Sequence, residues 1–205
     1  MGAPPIRSEG AFFFWYTVSM REIEIKAKVT DREGILSRLE GLGCSLSEPV
    51  TQEDVVFAQK VGSLEEFLTN SVFLRIRESA KGIVFTLKYN PDRQGEPDAM
   101  PVEHEVTVSS RNELEAIFQL LGFKPMVTVK KTRRTGHYKN WEICIDEVEE
   151  LGTFIEVEQM AEHDEDIEPV RDSIMEFLRS LGITESDLLA KRYDIQMIEL
   201  QKGAV

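Results

Sequence analysis

Apolar and charged residues alternate with period two at several places along the chain. In Glu22-Ile23-Glu24-Ile25-Lys26-Ala27-Lys28-Val29 every charge falls on one face of an extended strand and every apolar side chain on the other. The same alternation returns in Val72-Phe73-Leu74-Arg75-Ile76-Arg77, in Ile83-Val84-Phe85-Thr86-Leu87-Lys88 and in Val102-Glu103-His104-Glu105-Val106-Thr107-Val108. Further strands are predicted at 52–58, 127–134, 141–147 and 153–159, which makes eight. Between them the period changes to that of helices. Ile35, Leu36, Leu39 and Leu42 form a stripe closed by Gly43; Leu114, Ile117, Phe118 and Leu121 do the same before Gly122, and Ile174, Phe177, Leu178 and Leu181 before Gly182. Thr30 with Glu33, Ser63 with Glu66 and Ser110 with Glu113 fit capping boxes, and Pro169 suits the first turn of the third helix.

A strand carrying Glu-x-Glu followed by a helix ending in Leu-Gly occurs at 22–43, 103–122 and 156–182, which argues for related elements of one domain, residues 20–200. Residues 1–19 differ in character. They hold the run Phe12-Phe13-Phe14-Trp15-Tyr16 and lead to a second methionine, Met20, so they read either as an extension upstream of a start at Met20 or as an added aromatic strand. Residues 90–101, with Pro91, Gly95, Pro97 and Pro101, read as a loop, and Glu162-His163-Asp164-Glu165-Asp166 as a solvated acidic connection.

Composition narrows the function. The 205 residues carry 24 Lys and Arg against 37 Asp and Glu, a net charge of −13, so general nucleic-acid binding, which draws on surplus positive charge, is disfavoured. The aromatic run is far shorter than the roughly 20 residues needed to cross a bilayer and lacks a small-residue cleavage site. Cys44 and Cys144 stand 100 positions apart, outside any metal-ligand spacing. A cytoplasmic location without membrane attachment is expected. No Walker A pattern is present. His104 falls on the apolar face of its strand and is expected to pack, and the carboxylates flanking Cys144 disfavour a thiolate.

The charged strand faces carry chemistry because of what they collect: Glu22, Glu24, Lys26, Arg75, Arg77, Lys88, Glu103, Glu105, Lys131, Arg133, Asp146, Glu156 and Glu158. On a lone antiparallel sheet such a face points to water. Eight strands suffice to close a barrel, however, and with helices over the apolar outside the charged face becomes the lumen. Two carboxylates about 5 Å apart repel by roughly 3 kcal/mol at an effective dielectric of about 20, so several acids in one place ask for a cation. Hard ions such as Mg2+ or Mn2+ prefer carboxylate oxygen and leave coordination sites for phosphates. The basic residues ask for a polyanion, with Arg offering forked donors to phosphate oxygens. A metal-chelated triphosphate meets both demands.

The ordered set Glu22-Ile23-Glu24-Ile25-Lys26, Leu74-Arg75-Ile76-Arg77, Leu87-Lys88-Tyr89, Lys131-Thr132-Arg133 and Asp146 through Glu158 (Asp146-Glu147-Val148-Glu149-Glu150-Leu151-Gly152-Thr153-Phe154-Ile155-Glu156-Val157-Glu158) resembles the CYTH family of triphosphate tunnel metalloenzymes over roughly residues 20–199. The resemblance implies a β-dominated α+β fold, an eight-stranded antiparallel closed barrel forming a tunnel with helices outside. It implies Mg2+ or Mn2+ as cofactor and a small triphosphate, ATP or inorganic triphosphate, as partner, with a homodimer as one option. By position it implies Glu24, Asp146, Glu156 and Glu158 at the metal with Glu22 close by, and Lys26, Arg75, Arg77, Lys88, Lys131 and Arg133 on the phosphates. Lys191 would be a further phosphate contact, and Glu103 and Glu105 would be a second-metal or orienting pair.

Gln52-Glu53-Asp54-Val55-Val56-Phe57 and the Asp146–Glu158 phrase look most similar to the class IV adenylate cyclase branch, which implies conversion of ATP to cyclic AMP and pyrophosphate. Three departures stand beside this: Arg192-Tyr193-Asp194-Ile195 where the family often has Ser-Tyr and leucines, Val56 where cyclase-like members often have an aromatic, and His137-Tyr138 after the Lys131/Arg133 strand. They fall where substrate selectivity is set. An inorganic, nucleoside or thiamine triphosphatase, and a non-catalytic polyphosphate-binding barrel, therefore remain as alternatives.

Overall fold

The computed structural model describes residues 20–59, 67, 72–89, 102–162 and 166–203. Eight strands are present: β1 (Met20–Val29), β2 (Val50–Gln59), β3 (Val72–Ser79), β4 (Gly82–Tyr89), β5 (Val102–Val108), β6 (Phe123–Tyr138), β7 (Trp141–Val148) and β8 (Gly152–Glu162). All pair antiparallel in one sheet, in the order β1-β8-β7-β6-β2-β3-β4-β5. The helices are α1 (Arg32–Gly41), α2 (Arg111–Leu120), α3 (Glu168–Ser180) and α4 (Tyr193–Gly203). The β-dominated, eight-stranded antiparallel architecture with flanking helices is the expected one. The sheet curls into a half-barrel, and among the described residues no ladder joins its edge strands β1 and β5. The free edge of β1 is instead met by the α3–α4 connection, where Leu188 bridges Ala27 and the Leu189 N–H donates to the Lys26 carbonyl at 2.9 Å.

Alternation sorts the strand residues onto the two faces. On the convex side Ile23, Ile25, Ala27, Ile143, Ile145, Ile155 and Val157 bury against Ile35 and Leu39 of α1 and Ile174, Phe177 and Leu178 of α3. Further along, Val55, Phe57, Leu74 and Ile76 bury against Phe118 of α2, whose ring meets Phe57 and Phe85 edge-on with centroids 5.0 and 5.3 Å away. Because helices cover the apolar face, the charged face is left on the concave side. At one end even that side is apolar: Val56, Ala58, Val127, Val129, Val148 and Phe154 are packed by Tyr193, Met197 and Ile198 of α4. No helix among the described residues is long and apolar enough to cross a membrane.

Local signals hold with two corrections. Ser110 caps α2 by accepting from the Glu113 N–H, Pro169 lies in the first turn of α3, and Gly43, Gly122 and Gly182 leave their helices with φ of 79°, 84° and 86°, where a side chain is strained. At α1, however, the cap is Asp31 rather than Thr30. Its carboxylate accepts from the Gly34 N–H at 3.0 Å, and any Cβ at residue 34 would lie 2.0 Å from that carboxylate. His104 is exposed rather than packed, because β5 is an edge strand whose Val102 and Val106 are exposed as well. The Ser63–Glu66 capping box, the 90–101 loop, residues 1–19 and most of the 162–166 acidic run lie outside the described residues.

Candidate functional site

Strand register decides which charges meet on the concave face. Across β2 and β3, Asp54 is directly opposite Arg77, and the guanidinium takes its carboxylate with two bonds, Nε to Oδ1 and Nη2 to Oδ2, both 2.7 Å. This forked geometry is the strongest arrangement available to an Arg–carboxylate pair. Burial pushes the Asp54 carboxyl upward, but Arg77 and Arg75 outweigh it and hold the group below its ordinary value. Arg75, Thr86 and Glu105 form the neighbouring row across β3, β4 and β5. Arg75 donates to Thr86 at 3.0 Å and to Glu105 at 3.2 Å, while the fully buried Thr86 hydroxyl donates to Glu105 at 2.7 Å. Lys88 pairs with Glu103 at 2.9 Å. Glu103 and Glu105 thus lie against basic residues.

The other half of the face is built by β6, β7, β8 and β1. Asp146, fully buried, accepts from Lys131 Nζ at 2.7 Å and from Arg133 at 2.7 Å through Nε and 2.6 Å through Nη2. Arg133 also bonds Glu156, which receives Lys26 Nζ at 2.9 Å; Lys26 in turn reaches Glu24 at 3.0 Å. Burial raises Glu156, yet Arg133 and Lys26 prevail and hold it well below the usual carboxylate range. Lys131 moves the other way: burial, and then the Arg133 charge, lower it.

One row farther along the acids outnumber the bases, with Lys26 reaching Glu24. Glu24, Glu158 and Glu142 stand in register across β1, β8 and β7. Glu158 is pushed up to about 8, first by burial and then by a hydrogen bond and charge from Glu22. A carboxyl that keeps its proton because it is buried and another carboxyl faces it marks a place where a cation would be welcome. Glu22, Glu24 and Glu158 therefore fit a hard divalent ion by the chemistry of their donors. Asp146 and Glu156 are engaged by Lys131, Arg133 and Lys26. Among the described residues no three acids, His or Cys already converge in ligand geometry, so holding an ion calls for these carboxylates to re-aim.

The structure thus brings thirteen of the residues expected from sequence onto one concave face. Lys191 is the exception: its ammonium is exposed and bonds both oxygens of Glu199 on α4, at 2.7 and 2.9 Å. Four neighbours were missed. Asp54 was legible in the alternation Gln52, Asp54, Val56, and Glu142 in the alternation running to Asp146; Thr86 sits between Phe85 and Leu87 and gave no charge signal. Tyr193 belongs to a helix whose apolar residues form no single stripe. Cys144 shares the face but is inert as a nucleophile, since burial pushes its thiol up to about 12.

The CYTH domain model matches residues 20–193. The chain belongs to the CYTH family. Its similarity to the protein named "Putative adenylate cyclase MJ0240" from Methanocaldococcus jannaschii amounts to 29% identity over 174 residues, covering 85% of this chain and 97% of that one. Among solved structures, the PH1012 protein from Pyrococcus horikoshii OT3 is similar with a TM-score of 0.67 and 27% identity, covering 87% of this chain and 99% of that one. The protein from Hippeastrum described as a "Putative adenylyl cyclase" with a dominant triphosphatase activity shares the fold at a TM-score of 0.61 and 18% identity, covering 88% of this chain and 96% of that one. The half-barrel with its charged concave face is consistent with the tunnel fold of that family.

Proposed function

We propose that this CYTH protein is a divalent-metal-dependent enzyme acting on triphosphates, most like class IV adenylate cyclase, and that it converts ATP to cyclic AMP and pyrophosphate. The observation that carries this reading is the concave face, where six basic side chains from β1, β3, β4 and β6 share one surface with acids that outnumber them locally at Glu22, Glu24 and Glu158. Glu22, Glu24, Asp146, Glu156 and Glu158 would hold Mg2+ or Mn2+. A bound ion of this kind neutralises phosphate oxygens and polarises the bond under attack.

The remaining work falls to the protein. Arg75, Arg77 and Arg133 are positioned by Asp54, Glu105 and Asp146 before substrate arrives, so their donors are aimed without reorganisation when charge builds on the phosphates. Lys26, Lys88 and Lys131 add point charges along the chain. In cyclisation the ribose 3′ oxygen attacks the α-phosphorus, its proton is lost, and the bond to the β-phosphate breaks to release pyrophosphate. The residues fix which phosphorus meets the attacking oxygen, and that positioning decides the product.

A second reading, hydrolysis of the triphosphate, has one observation in its favour: α4 fills the apolar end of the concave face, where a purine would otherwise find a surface to stack on. The named activity of the Hippeastrum protein accords with it. Incubation with ATP and Mg2+ or Mn2+, followed by separation of products, tests both. Cyclic AMP and pyrophosphate in equal amounts are expected. Orthophosphate would replace the cyclase reading with the hydrolase, and tight ATP binding without turnover would leave a non-catalytic barrel.

A further inference from the structure

Tyr193 opens α4 and packs onto the concave face with only 8% of its surface exposed. Its ring packs on Phe154 of β8, centroids 5.0 Å apart, and holds two ammonium groups above it, Lys26 Nζ at 4.4 Å and Lys131 Nζ at 5.2 Å from the centroid. Those lysines come from β1 and β6, which β8 and β7 separate in the sheet. A single ring thus gathers them, and the ring quadrupole favours cations in that position. The phenol hydroxyl at the ring's far end is buried and has no hydrogen-bond partner among the described residues.

A buried, unpaired hydroxyl is costly, and a phenylalanine would pack on Phe154 as well without that cost. The carboxylates nearest to it in electrostatic reach, Glu156 and Asp146, are already engaged by Lys26, Arg133 and Lys131. Glu156 stands near the phenol oxygen but makes no hydrogen bond of ordinary geometry with it.

We propose that the Tyr193 hydroxyl donates a hydrogen bond to a phosphate oxygen of the triphosphate held over Lys26 and Lys131. The inference deepens the proposed function and rests on its triphosphate substrate, whichever phosphorus is attacked.

The test compares wild type with Tyr193→Phe in two measurements: the melting temperature without ligand, and calorimetric titration in Mg2+ buffer with inorganic triphosphate whose bridging oxygens are replaced by hydrolysis-resistant imido groups. The variant should melt at the same or a higher temperature, because it loses only an unpaired group, and should bind the analogue about tenfold more weakly. Equal affinity in the two proteins would overturn the donor role and leave the triphosphate reading standing. A lowered melting temperature in the variant would assign the hydroxyl to the fold and overturn it too. Wild type that binds no triphosphate analogue would overturn both readings.

Discussion

Glu22 of β1 and Glu158 of β8 share a hydrogen bond although both are acids, and the proton that joins them leaves Glu158 only as pH nears about 8. Burial is the larger cause and the Glu22 carboxylate the next. For an acid whose folded pKa is raised, the folded state binds the proton more tightly than the unfolded chain does. Its stabilising contribution is complete below the ordinary carboxylate value and is lost as pH rises from there to about 8. Glu156 is displaced oppositely, so its contribution is present at neutral pH and is lost in acid. In the window from about pH 5 to pH 8 the Glu158 effect therefore governs. Metal-free protein should melt at lower temperature at pH 8 than at pH 5.5, and Glu158→Gln should flatten that slope; an unchanged slope would remove the shared proton from the account.

The same pair predicts competition between protons and cations. Mg2+ or Mn2+ should raise the melting temperature more at pH 8, where the Glu158 proton is easily displaced, than at pH 5.5. Glu24 is 38% exposed at its side chain and, among the described residues, pairs with Lys26, so Glu24→Gln disturbs packing little. It should weaken metal binding about tenfold or more, read by calorimetry, and lower turnover in parallel. Full activity in this variant would exclude Glu24 from the metal site.

Arg75 and Arg77 lie two residues apart on one strand but are expected to fail differently. Arg77 is the forked partner of the buried Asp54, and removing it leaves that carboxylate without its main counter-charge. Arg77→Ala should cost about 3 kcal/mol of unfolding free energy, measured by urea denaturation. Arg75 has a weaker hold, 3.9 Å to Asp54 and 3.2 Å to the half-exposed Glu105, and its Nε is buried without a partner among the described residues. Arg75→Ala should instead weaken triphosphate binding far more than orthophosphate binding. Equal losses for the two ligands would contradict a cradle that spans several phosphates.

Much of this site was legible because period two is a geometric constraint. Once Ile23, Ile25 and Ala27 are buried under helices, Glu22, Glu24 and Lys26 have only the other face to occupy. Pattern alone did not reveal pairing partners. That Asp146 is engaged by both Lys131 and Arg133 depends on the β6–β7 register, and this divides the five expected metal-binding acids into a pair held by several bases and a trio whose ion pair, among the described residues, is Lys26 with Glu24. Helix α4 escaped notice because Ile195, Met197 and Ile198 are buried on more than one side of it, so no single stripe marks them. Its role follows from tertiary packing, as does the closeness of Tyr193 to two distant lysines.

The long strand β6 crosses from the lumen wall to the outer hairpin, and Gly136 marks its tightest point. The residue is buried, and a Cβ there would stand 2.9 Å from the Ser45 carbonyl oxygen, 2.9 Å from Leu46 Cδ2 and 3.0 Å from Cys44 Sγ. Side-chain ends can yield, but the carbonyl belongs to backbone that is tied to the same strand through the Ser47 N–H bond to the Thr135 carbonyl at 2.8 Å. The neighbouring segment must therefore shift as a whole or the strand must bend. Gly136→Ala should cost about 2 kcal/mol in urea unfolding, the scale of overpacking a filled interior. Since Arg133 precedes it on β6 by three residues, the strain should also loosen the Arg133–Asp146 fork. Triphosphate affinity should fall with stability in this variant, whereas a stability loss with unaltered affinity would show that the hairpin and the tunnel wall move independently.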